Sequence, residues 1–157
     1  MTEAPRGGED SRLDKDLLAR SRPEEAGPDG SDTYALYRRG LDLLGRGSAA
    51  AAAQLLERAA AAEPRSPSVR EALARAQFDA RRYADAAGSF RQIVEATPSD
   101  DYAQFGLGLA LARAGNPGAA AEHLALAAAM RPDLRHYTDA LRQVRATLRA
   151  RGEGQTS

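Results

Sequence analysis

The sequence contains no cysteine, which removes disulfide frameworks, thiol nucleophiles and thiolate metal sites at once. Its only imidazoles are His123 and His136, and no H-x-x-x-H, E-x-x-H, glycine-rich phosphate loop or nucleophile elbow is present. Gly106-Leu107-Gly108 is no phosphate cradle, because it lies within a helical pattern and lacks a third glycine. The expectation is therefore no catalytic residue, no metal site and no cofactor. No apolar run reaches the roughly 18 residues of a membrane span. The opening MTEAPRGGED lacks the basic-then-apolar pattern of a secretory signal, so a cytoplasmic location is expected, with no membrane partner. A surplus of either charge is also missing: 22 basic and 22 acidic side chains cancel, and nothing global draws the chain towards nucleic acid. Lysine is almost absent, with Lys15 alone among many arginines and alanines, a bias associated with GC-rich bacterial genomes.

What the chain does have is a period. Pro64, Pro98 and Pro132 are spaced 34 residues apart, each closing a run of helix-compatible residues. A fixed period of this size signals stacked supersecondary units. Residues 1–32 stand outside it, with nine acidic and five basic side chains, several prolines and glycines and little apolar surface. That composition reads as a disordered acidic tail. Leu13, Leu17 and Leu18 interrupt it and could form a short docking motif or self-ligand.

From Thr33 onward the pattern is helical. Tyr34, Leu36, Tyr37, Leu41, Leu43 and Leu44 recur at helical spacing until Gly45-Arg46-Gly47, and an alanine-rich helix follows over about 49–62. Ser66-Pro67 opens the next copy, which turns near Arg81 and runs on to Pro98. Asp100-Asp101 opens a third as the acidic start of a helix; it turns at Gly115-Asn116-Pro117 and closes at Pro132. A last helix carries Leu134, Tyr137, Leu141, Val144 and Leu148 on one stripe, with Arg135, Arg142, Arg145 and Arg149 off it. A helix with one greasy and one charged face suits the open end of a stack.

These units resemble the tetratricopeptide repeat, a helix–turn–helix of 34 residues. The small residue midway along the first helix falls on Gly40, Ala74 and Gly108, and the second-helix alanine on Ala52, Ala86 and Ala120. The large apolar residue after it falls on Leu56, Phe90 and Leu124, and a further small or aliphatic one on Ala59, Ile93 and Ala127. Short side chains at the first two sets predict close approach within each hairpin. The resemblance implies an all-α fold, an α-solenoid of repeats at 33–66, 67–100 and 101–134, a capping helix at 135–150 and a disordered tail at 151–157. Three departures stand out. The early aromatic of the first helix is replaced by Leu36, Arg70 and Gln104; the leucine before the small residue is Arg39 in the first copy; and the turn glycine, kept at Gly47 and Gly115, is Arg81 in the second. If Arg81 must adopt φ > 0, it is strained.

In that family the first helices line a concave groove that holds a peptide or partner segment. By register, the groove-facing residues here are Tyr34, Tyr37, Leu41, Glu71, Arg75, Phe78, Tyr102, Phe105, Leu109 and Arg113. Some of these rings could instead pack between helices. A subset of the family grips chaperone C-terminal carboxylates with cationic and amide side chains. The matching places here, Tyr37, Leu41, Ala72, Tyr102 and Gly106, offer no charged donor, so that ligand is rejected in favour of an apolar or aromatic-rich peptide. Gly106 is read as a tolerated substitute for alanine, or as a shallow place where a ligand backbone comes close. The expectation is a non-catalytic adaptor for another protein, monomeric or weakly self-associating. The alternatives are weak nucleic-acid binding through Arg142, Arg145 and Arg149, a self-associating scaffold, or a groove covered by the Leu13/Leu17/Leu18 stretch.

Overall fold

The computed structural model describes residues 30–156. The acidic segment before Gly30, with Leu13, Leu17 and Leu18, lies outside the described residues. Within them the chain is all-α, with seven helices and no strand: α1 (Gly30–Gly45), α2 (Ala49–Ala62), α3 (Pro67–Asp79), α4 (Tyr83–Ala96), α5 (Asp101–Arg113), α6 (Pro117–Met130) and α7 (Arg135–Thr156). α1 begins inside the stretch read from composition as tail, and α7 continues past Ala150, since no proline interrupts 135–156. No helix among the described residues is long and apolar enough to cross a membrane.

Two kinds of turn alternate. Within hairpins, a residue of positive φ reverses the chain: Gly47 at 84°, Arg81 at 65° and Gly115 at 93°. After α1, Gly47 N–H donates to Leu44 O and Ser48 N–H to Leu43 O; after α5, Gly115 N–H donates to Ala112 O and Asn116 N–H to Leu111 O. This paired pattern satisfies the last carbonyls of a helix, and only glycine adopts the required conformation without strain. Between hairpins, each periodic proline is the second residue of a four-residue turn: Ser66 N–H bonds Glu63 O at 3.2 Å, Asp100 N–H bonds Thr97 O at 3.0 Å and Leu134 N–H bonds Arg131 O at 3.1 Å. Proline presets the φ that this position needs and cannot extend the preceding helix. The next helix is then capped by a side chain, Ser66 accepting from Val69 N–H and Asp100 from Ala103 N–H.

The early-helix departures act at the same turns. Arg70 Nη2 donates to the carbonyl of Pro64 at 2.5 Å, and Gln104 Nε2 donates to that of Pro98 at 3.0 Å. A polar side chain thus ties the first helix to the turn before it where the repeat pattern places a ring.

The chain divides into two compact units at Arg81/Arg82. In the first, α1, α2 and α3 pack on one another around Tyr37, Leu41, Leu44, Leu56, Val69 and Leu73, with fully buried alanines between the helices. In the second, α5 packs against α4, α6 and α7, and α6 against α7. The close approach expected inside hairpins is present. A Cβ on Gly40 would stand 2.7 Å from Leu56 Cγ, and one on Gly108 would stand 2.6 Å from Leu124 Cγ and 3.2 Å from the Ala120 carbonyl oxygen. The nearest group across the hairpin is thus the large leucine of the second helix, with the small alanine behind it.

Candidate functional site

The first helices carry the ten residues expected to face a groove, and burial divides them. In the first unit Tyr37 and Leu41 belong to the core, with 2% and 5% of their surfaces exposed. Glu71 and Arg75 are also buried, at 4% and 7%. Tyr34 and Phe78 are half-buried. In the second unit Tyr102, Phe105 and Leu109 are half-buried and Arg113 is exposed. The surface of the set is therefore concentrated in Tyr34, Phe78, Tyr102, Phe105, Leu109 and Arg113.

The reason for the split is a contact that repeats. Tyr37 of α1 shares its core with Val69 of α3. In the second unit, Phe105 of α5 stacks on Tyr137 of α7, with ring centroids 4.4 Å apart and planes 24° apart. Both partners are displaced by two periods, so this position of a first helix faces the next first helix. Rings there supply packing area between helices.

On α5 the stripe is explicit. Tyr102, Phe105, Leu109 and Arg113 follow one another at steps of three, four and four residues, which keeps them on one side of a 13-residue helix. Tyr102 is edge-on to Phe90 of α4, with centroids 6.1 Å apart. Arg113 Nη1 donates to the Tyr83 hydroxyl at 3.2 Å, and its guanidinium lies 5.7 Å from the centre of that ring. That pairing orients the cation at the C-terminal end of the stripe, where positive charge is also favoured by the helix dipole.

Gly106 sits beside this stripe and is not a tolerated substitute for alanine. A Cβ there would lie 2.5 Å from Cε1 and Cζ of Phe90, so the missing side chain makes room for that ring. The close approach belongs to α4 and leaves no shallow place for a ligand backbone.

α7 closes the other side of α5 through residues that sequence reasoning placed only on a cap. The Tyr137 hydroxyl donates to Asp101 Oδ2 at 2.7 Å. Burial first, and then the bond to the Asp101 carboxylate, push the Tyr137 phenol far above its ordinary range. His136 is exposed and stands edge-on to Phe105 at 5.2 Å. The signal available in the sequence was the 34-residue equivalence of Tyr137 with Ala103 and Val69. His123, on α6, has its Nδ1 2.8 Å from Gln104 Oε1. An amide oxygen only accepts, so Nδ1 carries the proton. Burial first, and then nearby Arg91, hold its pKa below the ordinary value. Arg142, Arg145 and Arg149 are exposed along α7, and Arg142 Nη1 bonds Asp139 at 3.0 Å. Among the described residues no group of three or more acidic or histidine side chains could hold a metal ion.

Known proteins were compared with this chain on sequence and on structure. The family model described as tetratricopeptide repeat matches residues 37–101 and 71–135. No curated protein matches the sequence. Among solved structures, MamA from Desulfovibrio magneticus RS-1 is similar at a TM-score of 0.72 and 20% identity, over 90% of this chain and 84% of that one. The first TPR of Spaghetti (RPAP3), bound to an HSP90 peptide, is similar at 0.69 and 20% identity, over 74% and 93%. The C-terminal TPR-containing domain of a putative FK506-binding protein from Plasmodium falciparum is similar at 0.71 and 14% identity, over 78% and 91%. With three proline turns in register, two glycine-closed hairpins and a family model spanning 37–135, the chain belongs to the tetratricopeptide repeat family.

Proposed function

We propose that this chain is a non-catalytic interaction module that holds a segment of another protein against the first helices of its repeats. The observation that carries the reading is the α5 stripe. Three helices pack on α5, yet Tyr102, Phe105 and Leu109 keep part of their surface in solvent and Arg113 is exposed at the end of the row. Aromatic and arginine side chains presented together on a rigid helix supply large contact area at low ordering cost, the usual composition of interface anchors. Tyr34 and Phe78 add half-buried rings in the first unit. A similar fold, that of RPAP3, is bound to a peptide from HSP90, which supports a peptide as the class of ligand. The row here is mostly apolar, so the ligand proposed is a segment with aliphatic or aromatic side chains. The two imidazoles are engaged by neighbours, His123 by Gln104 and His136 by Phe105, which favours a structural role for both.

Selection of peptides from a random library against the whole protein, followed by amide shift mapping, tests this. The expected result is an enriched apolar or aromatic motif whose shifts cluster on α5, with binding at least roughly tenfold weaker in a folded Tyr102→Ala/Leu109→Ser variant. Unchanged affinity in that variant, or shifts confined to other helices, would overturn the reading.

A further inference from the structure

α7 keeps the register of a first helix. Val69, Ala103 and Tyr137 are spaced by the period and all buried, as are Leu73, Leu107 and Leu141, and Ala76, Ala110 and Val144. The next place in the series is where a first helix receives its own second helix: Gly40 against Leu56, and Gly108 against Leu124. In α7 that place is Arg142, and it is exposed. No described residue packs there as α2 does on α1 or α6 on α5. The face around it holds Arg135, Arg145 and Arg149, all exposed, with half-buried Leu148 beside them. At 3.6 residues per turn the four arginines fall within about 80° of one another and extend over about 21 Å. Arg142 pairs with Asp139, and the rest of the row faces solvent.

The occupant is indicated by the chain's own charge. Residues 1–29 hold eight acidic and five basic side chains, a net of −3, while α7 holds five basic and two acidic, a net of +3. Within that segment, Leu13, Leu17 and Leu18 alternate with Asp14 and Asp16, offering apolar groups for Leu148 and carboxylates for the arginines. An arginine in place of glycine keeps a leucine from approaching as Leu124 does, but suits a carboxylate.

We propose that α7 is the first half of a fourth hairpin, and that residues 1–29 of a second copy complete it. Exchange of the two segments gives a closed two-fold dimer in which each arginine face is covered by the acidic stretch of the other chain. The surface is separate from the α5 stripe, so this inference stands or falls independently of the ligand proposed there. Pairs of this kind are screened, and the dimer dissolves as ionic strength rises.

Sedimentation of the full chain over a dilution series, at about 20 mM and about 300 mM salt, provides the test. The expected result is a monomer–dimer equilibrium that weakens at least roughly tenfold with salt. Arg145→Glu/Arg149→Glu and, separately, Asp14→Arg/Asp16→Arg abolish it, and an equimolar mixture of the two variants forms a heterodimer. All four positions lie outside the packed core of the hairpins, and circular dichroism confirms that the variants fold. A chain that stays monomeric at every concentration and low salt overturns the proposal. So does a dimer that survives both reversals, or a mixture that fails to associate. A result in which Arg145→Glu/Arg149→Glu changes only retention on duplex DNA or anionic vesicles assigns the face to those polyanions and overturns it as well.

Discussion

The hydroxyl of Tyr137 donates to Asp101 Oδ2 across 2.7 Å, while the face of the same ring stacks on Phe105. One side chain thus joins the first turns of α5 and α7 by a charge-assisted bond and by ring area. Tyr137→Phe keeps the stacking and removes the bond. The expected loss is about 1.5 kcal/mol, the low end for a charged acceptor because half-buried Asp101 regains water. Chemical denaturation measures it.

The same group sets an alkaline limit. The folded pKa of Tyr137 is raised above the ordinary value of 10.0, by burial first and then by Asp101. A raised folded pKa means its contribution is fully present below the unfolded value and is lost as pH rises beyond it. Stability should fall above about pH 10 more steeply in the parent than in Tyr137→Phe. Equal slopes would remove this residue as the cause.

His123 gives the opposite limb. Its folded pKa lies below 6.5, chiefly through burial, so the unfolded chain binds the proton first as pH falls. Above that value both states are neutral and nothing is gained or lost. Stability should decline between about pH 7 and about pH 5, and His123→Gln should flatten that decline. Denaturant midpoints across this interval decide it.

Arg81 is the one non-glycine residue with positive φ among the described residues, at 65°, and Gly47 and Gly115 hold the equivalent turns. The left-handed conformation brings a Cβ too close to the backbone, costing about 1 kcal/mol or somewhat more. Arg81→Gly should therefore raise stability by about 1 kcal/mol and raise the melting temperature. A lower Tm would contradict the strain argument.

Glycine to alanine should act in opposite directions at two helical sites. Gly106→Ala drives a methyl into the Phe90 ring and should destabilise by about 1–3 kcal/mol. Gly88→Ala meets nothing within 4 Å and should stabilise α4 by up to about 1 kcal/mol. Thermal unfolding of the pair separates the two effects.

Much of this was legible in the residues. The periodic prolines mark turns of one kind, and Gly47, Arg81 and Gly115 mark turns of the other, because each position demands a backbone state that few residues accept. Ser66 and Asp100 announce helix starts for the same reason. The candidate face was harder. Tyr34 and Tyr37 are three apart on one helix face, and a residue type cannot tell which meets the next helix and which meets solvent. Tyr37 is core because its side chain lies against α3, an arrangement set by how first helices lie side by side. Gly106 misled for a related reason: its neighbour is a ring on another helix, invisible to local patterning. The polar residues at Arg70 and Gln104, departures from the repeat, became intelligible only once their carbonyl partners in the preceding turns were seen.

The proline bridges at 63–66, 97–100 and 131–134 are all four residues long and closed by the same first-to-fourth bond. Such a joint has no slack. A single residue inserted into one would swing every later helix by roughly a quarter turn about its axis and carry buried alanines into water. Natural variation in length among close relatives should therefore collect at the ends of the chain and leave these joints untouched.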